Sequence, residues 1–423
     1  MTELPESPRS ETDLAAAGSR ALTRLVGMPP ADFATNVWSR APWLTRAADL
    51  PGDFSDLFGP DGVDELVARR GLRTPFARMA KDGATLPDRQ LTLGGGVGAG
   101  VADQLSEDRV LREFASGATL VLQALHRTWA PIQEFAGGLA DDLGHPVQVN
   151  AYVTPPQNQG FSDHYDVHDV FVLQIAGEKQ WRIRPPVLEA PLRDQPWEQH
   201  RSAVEQAATA PPLLEETLRP GDCLYLPRGY LHSASALGAT SIHLTIGVHA
   251  WTRRHVVDAL LARVTERLAE DVEGRRSLPL VPGGSRRSEI GFEDDAENVR
   301  SLVARALQDI GVDEIVDGLR GPVRGAQRAE ALGVLDQMEQ AEDAATTWRP
   351  RRQLAAHWET RGDECTFVSR VGRFLVTAIE RDKVAEVLDG IRDPADLAPE
   401  LRRRLALAGL LVPADVATEP DRP

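Results

Sequence analysis

The sequence predicts a mainly β fold, a jelly-roll or barrel, with helices ahead of it and a helical region and a small mixed module behind it. Three observations carry this. Between residues 147 and 249, short apolar segments bounded by turn residues follow one another without alternating helices. Past residue 250 the apolar spacing changes to threes and fours. The final third returns to short strand-like pieces followed by two helical ones. A chain of 423 residues exceeds one ordinary core. The expected division is a disordered N-terminus over 1–20, a catalytic-type β domain over 21–250, a helical region over 251–345 and a C-terminal module over 346–423.

Taken in order, Leu22, Leu25, Val26, Phe33, Val37 and Trp38 are spaced as helical turns, with Pro29-Pro30 as a start signal. The run LTLGGGVGAGVADQ is Gly-rich, but no GK[ST] follows, so a surface loop is expected rather than a phosphate cradle. ATLVLQALHRTWAPIQEFAGGLADDLG is expected as one long helix ending at Gly144. VQVNAYVTPP alternates, VFVLQIAGEKQWRI suggests a hairpin turning at Gly177, and CLYLPRGYLHSA and TSIHLTIGVH supply two more strands. Residues 190–216, rich in Pro, Gln and Glu, form an insertion. RRHVVDALLARVTERLAEDV and ENVRSLVARALQDIGVDEIVDGLRG carry helical stripes suited to packing or dimerisation. CTFVSRVGRFLVTAI, KVAEVLDGI and ELRRRLALAGLL would make a small winged-helix-like module.

Composition narrows the function. Cys223 and Cys365 are far apart and form no CxxC, which argues against a disulfide framework or a zinc ribbon and makes a reducing cytoplasm the simplest location. The first 20 residues are polar and acidic without an apolar h-region, and no apolar run reaches the roughly 18 residues of a membrane span. A soluble, non-exported protein without a membrane partner is expected. The formal charge of -16 would repel a phosphate backbone and attract a basic protein or peptide. Arg402 to Arg404 form a basic cluster, but helical arginines usually make a solvated face, so nucleic-acid binding is not expected.

The stretch QGFSDHYDVHDVFVLQIAGEKQW holds the chemistry. In a strand, residues two apart share a face, so His164 and Asp166 can reach one ion while Tyr165 points away. His232 or His243 could supply the third ligand, and His168 could compete. Two imidazoles and a carboxylate leave positions open on an octahedral ion, as in non-haem Fe(II) oxygenases, whereas structural zinc usually takes four protein ligands. Lys179 could aim its ammonium inward at an anion. Asn150, Tyr152 and Thr154 alternate on one face, where an amide and a phenol suit a polar pocket. His126, His145, His200, His249, His255 and His357 carry no ligand spacing.

NAYVTPPQNQGFSDHYDVHDVFVLQIAGEKQW, RPGDCLYLPRGYLHSA and SIHLTIG together resemble the JmjC-type, cupin-like 2-oxoglutarate oxygenases of the ribosomal oxygenase branch. The resemblance begins near residue 22 and extends in layout into the C-terminal third. It implies a double-stranded β-helix, an α-helical dimerisation region and a winged-helix-like module. It implies that His164, Asp166 and His232 bind Fe(II), that Lys179, Asn150 and Thr245 serve the 2-oxoglutarate pocket, and that Tyr152 lies near the target side chain. Relatives tend to carry a serine where this chain has Gly247, with Thr245 as a substitute hydroxyl. The implied activity consumes 2-oxoglutarate and O2 to hydroxylate an Arg or His side chain of a ribosomal protein. Hydroxylation of a free amino acid, peptide or metabolite, and a silent cupin scaffold, are the alternatives.

Overall fold

The computed structural model describes residues 21–81, 83–156, 158, 162–278, 293–362 and 364–414. The N-terminal stretch 1–20, expected to be disordered, lies outside them. The chain divides into two compact units after Ala250.

The first unit is built on a nine-stranded sheet. Its strands are β1 (Trp43–Thr45), β2 (Ala77–Lys81), β3 (Ala84–Thr85), β6 (Thr119–Leu122), β7 (Val147–Thr154), β8 (Asp169–Arg184), β9 (Leu214–Leu218), β10 (Cys223–Leu226) and β11 (Leu231–Val248). A separate two-stranded ribbon joins β4 (Thr92–Leu93) to β5 (Gln104–Leu105). The large sheet runs β1-β10-β8-β11-β7-β6-β2-β3, with β9 also on β8, and its pairs are antiparallel.

Period-two alternation sorts the side chains of this sheet into two sets. Val147, Val149, Ala151 and Val153 of β7, Phe171 and Leu173 of β8, and Leu244, Ile246 and Val248 of β11 pack in one core with Leu22, Leu25, Phe33, Phe135 and Leu139 from the helices Ala21–Val26, Pro30–Asn36 and Ala130–Leu143. The opposite set, Val170, Val172, Trp181 and Ile183 with Leu218, Leu224 and Leu226, forms a second, smaller core. Helices thus cover one face and leave the other to enclose a cavity.

Four local expectations change. The long helix over 118–144 is in fact β6, a short helix at Leu125–Thr128 and the helix Ala130–Leu143. The β-branched run around Val121 pairs with β2 and β7, and Pro131 opens the last helix, which ends at Gly144 with φ 66. The hairpin at Gly177 is a single strand, β8, that bends instead of turning back. It stays paired with β11 on both sides of an irregularity. Gly177 has φ 63, and a Cβ there would lie 2.3 Å from the Thr240 carbonyl oxygen, so only glycine permits this bend. The Gln174 amide fixes it, donating to the Ala176 and Gly177 carbonyls and to Ser241 Oγ. The last two expected strands become short β10 and long β11, separated at the Pro-Arg-Gly turn. The 190–216 insertion holds a 3-10 turn at Trp197–His200, a helix at Arg201–Ala208 and the start of β9.

The second unit begins with the helix Arg253–Glu270. The helix expected over 297–321 is two, Glu293–Asp309 and Val312–Ala326, broken before Val312 at Gly311. Val264, Ala306 and Ile310 form their small core. Beyond the helix Val334–Glu342, β12 (Trp348–Pro350) pairs with β16 (Leu411–Pro413), while β13 (His357–Arg361), β14 (Glu364–Ser369) and β15 (Gly372–Thr377) form a three-stranded sheet. The helices Ala378–Leu388 and Pro399–Leu407 supply Val384, Val387, Leu401 and Leu405 to one core with Trp348 and Phe367. The Arg402 to Arg404 cluster is partly neutralised, because Arg403 pairs with Glu342 and Arg404 lies 3.6 Å from Glu380.

Candidate metal centre and its cavity

His164 lies just ahead of β8 and pairs as an isolated antiparallel bridge with His232 at the start of β11. Reciprocal backbone hydrogen bonds, His164 N to His232 O at 3.2 Å and His232 N to His164 O at 2.8 Å, bring the two rings to a centroid separation of 4.4 Å. The loop carrying His164 is pinned by its neighbour. Asp163 accepts from Arg184 Nη1 at 2.5 Å and from Ser233 Oγ at 3.1 Å. The other side of the site is held by the Pro-Arg-Gly turn, where Gly229 N donates to the Asp166 carbonyl at 3.0 Å. Gly229 has φ 91, and a Cβ would sit 2.6 Å from the Leu188 carbonyl oxygen.

Each histidine is oriented through its Nδ1. That of His164 lies 2.7 Å from the Ser162 carbonyl and that of His232 lies 3.1 Å from the Tyr230 carbonyl. A carbonyl can only accept, so both Nδ1 atoms carry the proton and both Nε2 lone pairs are available. One ligand atom from each of His164, Asp166 and His232 lies within 4.8 Å of the others, the one such trio among the described residues. Tyr165 is buried against Val204 and Leu231, away from the trio, as alternation requires.

The charges suit a cation. Burial pushes the His232 imidazole down to about 4, helped by the neighbouring His164. It is therefore neutral at pH 7. For Asp166, burial acts to raise the pKa, but His168, His232, His164 and Arg78 outweigh it and hold the carboxyl below its usual range. Two imidazoles and one carboxylate match a divalent first-row ion with open positions.

The trio opens into a cavity of ≈ 330 Å³. Lys179, 3% exposed, lines it together with Tyr152, Trp181, His243 and Thr245. Its Nζ donates to Thr154 Oγ1 at 3.2 Å and lies 3.5 Å from His243 Nδ1. No carboxylate pairs with it among the described residues, and burial pulls its pKa down to about 7. His243 stacks on Tyr152 at 5.0 Å and is held well below its ordinary pKa by burial, then by Lys179 and His232. The two candidates for third ligand therefore separate: His232 joins the trio, and His243 sits beside the lysine.

The other expected residues divide as well. Thr245 lines the cavity, but Asn150 does not, and its Oδ1 accepts from Ala124 N at 3.0 Å. Gly247 is not on the cavity wall either. A Cβ there would lie 3.1 Å from His168 Cε1 and 3.2 Å from Gln148 Cγ, so a serine would crowd these side chains. His168 is outside the trio.

Sequence reasoning missed several cavity residues. Trp181 spans the cavity, with ring centroids 6.0 Å from His232 and 5.5 Å from His243, and its buried Nε1 has no partner among the described residues. Arg78 reaches in from β2 and hydrogen-bonds the Tyr152 phenol. Trp197 and Glu198 reach in from the insertion. Trp181 was visible as the large residue of EKQW, two positions past Lys179 and hence on the same face. Arg78, Trp197 and Glu198 carried no spacing signal.

Residues 133–256 match the JmjC domain family. Human ribosomal oxygenase 1 is 30% identical over 302 residues, covering 69% of this chain and 45% of the relative. The bifunctional lysine-specific demethylase and histidyl-hydroxylase NO66 of Drosophila persimilis is 28% identical, covering 62% of this chain and 37% of the relative. The chain thus spans less than half the length of these curated relatives. The structure of the Escherichia coli ribosomal oxygenase YcfD covers 92% of this chain and 98% of its own at 16% identity, with a TM-score of 0.51, and a second structure of YcfD, in complex with cobalt and 2-oxoglutarate, matches at the same score with 15% identity. The chain carries a JmjC domain on a cupin-like, sheet-rich core with flanking helices, and in sequence and fold it is similar to the ribosomal oxygenases.

Proposed function

We propose that the protein is an Fe(II)- and 2-oxoglutarate-dependent oxygenase that hydroxylates a side chain of a protein substrate, a ribosomal protein being the favoured class. The observation that carries this is the pairing, in one cavity, of the metal-ready trio with the buried, anion-less ammonium of Lys179. The relatives' names and the complex of YcfD with cobalt and 2-oxoglutarate support the same reading.

His164, Asp166 and His232 would hold Fe(II). When bound, the iron would supply dioxygen activation coupled to oxidative decarboxylation of 2-oxoglutarate, the source of oxidising power for C–H hydroxylation. The chain's own residues do the positioning. Lys179 Nζ takes the far carboxylate of the keto acid, ending the isolation of a buried charge. The Trp181 ring, 6.0 Å from Lys179 Nζ, lines the wall beside the ammonium. Tyr152, braced by Arg78, walls the space beside Asp166. Trp181, Val170 and Val172 keep that space apolar and limit water. The test is mass spectrometry of ribosomal proteins from a deletion strain. A side chain that lacks one oxygen atom and regains it on complementation supports the reading, and unchanged masses contradict the ribosomal substrate.

The same reading takes in the second unit. Exposed Val256, Val257 and Leu261 on the helix Arg253–Glu270, and Val312 and Val316 on the helix Val312–Ala326, support a homodimer formed through this helical region. The strands and helices after Trp348 support a winged-helix-like module. The pairing of Arg403 and Arg404 with acids leaves little for nucleic acid. Cys223 and Cys365, both buried and free, suit a reducing cytoplasm. None of the helices is long and apolar enough to cross a membrane among the described residues.

A further inference from the structure

Glu198 and Trp197 lie on the 3-10 turn Trp197–His200 of the insertion between β8 and β9, and both line the cavity. The Trp197 ring is 6.5 Å from that of the ligand His164, so this turn stands at the metal end. Arg201 packs over the same indole at 4.5 Å and steadies it from the helix that follows. Among the described residues, Glu198 is the one carboxylate on the cavity wall apart from Asp166, and it is exposed. Among the described residues it makes no ion pair or hydrogen bond. The cavity's own cations are engaged elsewhere: Arg78 hydrogen-bonds Tyr152 beside Asp166, and Lys179 is the proposed seat of the keto acid.

We infer that Glu198, with the Trp197 indole beside it, is a specificity determinant that admits a cationic side chain to the metal, arginine above neutral histidine. An uncommitted carboxylate next to an aromatic surface is the arrangement that recognises a guanidinium, by a charge-assisted hydrogen bond and by packing against the ring. A neutral imidazole gains little from the carboxylate. The negative total charge of the chain favours the approach of the same basic partner.

This inference rests on the oxygenase reading, and its test separates the two. The full chain is loaded with Mn(II) and N-oxalylglycine, and binding of both is first measured by titration. Failure at that step overturns the oxygenase reading and this inference with it. N-acetyl-arginine amide, its uncharged isostere N-acetyl-citrulline amide and N-acetyl-histidine amide are then titrated at pH 8, with Mn(II)-induced broadening of their NMR signals reporting proximity to the metal. The arginine probe should bind about fivefold or more tighter than the other two. Glu198→Gln should bring the arginine-to-citrulline ratio close to one, and Glu198→Asp should recover part of it. Equal or absent broadening of all three probes by the wild-type protein, or an undiminished ratio in Glu198→Gln, would overturn the inference while leaving the oxygenase reading intact.

Discussion

At one end of the cavity two imidazoles and a carboxylate turn lone pairs toward a common point, while at the other a buried ammonium meets only a hydroxyl and a histidine ring. Both ends contain histidine, yet backbone context separates their roles. His164 and His232 each engage Nδ1 with a carbonyl and leave Nε2 open. His243 presents Nδ1 to the lysine, and its ring stacks on Tyr152 and meets Trp181 in a T-shaped contact. The first end is short of a cation and the second is short of an anion. A divalent cation held by the trio would satisfy the first end and the far carboxylate of a dicarboxylate ligand would satisfy the second, which is why the two ends are read as one site.

The comparison can be broken most forcefully at the metal end. Asp166→Ala removes the one anionic ligand and should weaken Co(II) or Mn(II) binding on the order of 100-fold or more, read by titration of the Co(II) absorption bands. His243→Ala should have a far smaller effect on those bands. If His243→Ala abolishes metal binding and Asp166→Ala does not, the division of roles is wrong.

At the other end, Lys179→Met should raise the 2-oxoglutarate KM about 10- to 100-fold, the loss expected for one charge-assisted contact in a buried site. The same substitution has a stability signature. The folded-state pKa of Lys179, about 7, lies below the ordinary lysine value of 10.5, so between these values the unfolded chain binds more protons than the folded one. In the unliganded protein the penalty of the buried charge is therefore fully present below pH 7 and fades as pH rises toward 10.5. Lys179→Met should raise the melting temperature at pH 6 more than at pH 9.

The titration of Lys179 also shapes ligand binding. Only the ammonium binds the carboxylate, so affinity for 2-oxoglutarate should fall as pH rises above about 7, by at most about tenfold per pH unit, with proton uptake on binding. Calorimetry in buffers of different ionisation enthalpy measures that uptake, and a pH-independent affinity would argue against an ion pair. The smallest effect belongs to Thr154→Val. It removes the hydroxyl that accepts from Lys179 and should cost about two- to fivefold in 2-oxoglutarate KM.

The sequence was most informative where local rules suffice. Alternation separates Tyr152 and Thr154 from the apolar residues between them, because one sheet face is packed under helices and the other encloses the cavity, and it divides His164 and Asp166 from Tyr165 although that stretch lies just ahead of β8. It was least informative where long-range pairing overrides local pattern. Gly177 reads as a hairpin turn, but continuous pairing of β8 with β11 makes it a bend, a difference invisible without the partner strand. The expected helix over 118–144 fails for the same reason: the run at Thr119–Leu122 finds strands on both sides. Asn150 shares the inward face, yet a backbone amide from outside its strand claims its side chain. Arg78, Trp197 and Glu198 reach the cavity only because the sheet and the insertion bring distant segments together.

The most direct test of the account is an anaerobic crystal structure of the full chain with Mn(II) and N-oxalylglycine. The account predicts one metal ion bound by His164 Nε2, an Asp166 carboxylate oxygen and His232 Nε2, chelated by the oxalyl group, with the far carboxylate on Lys179 Nζ. A metal held by His243, or a carboxylate seated away from Lys179, would contradict it.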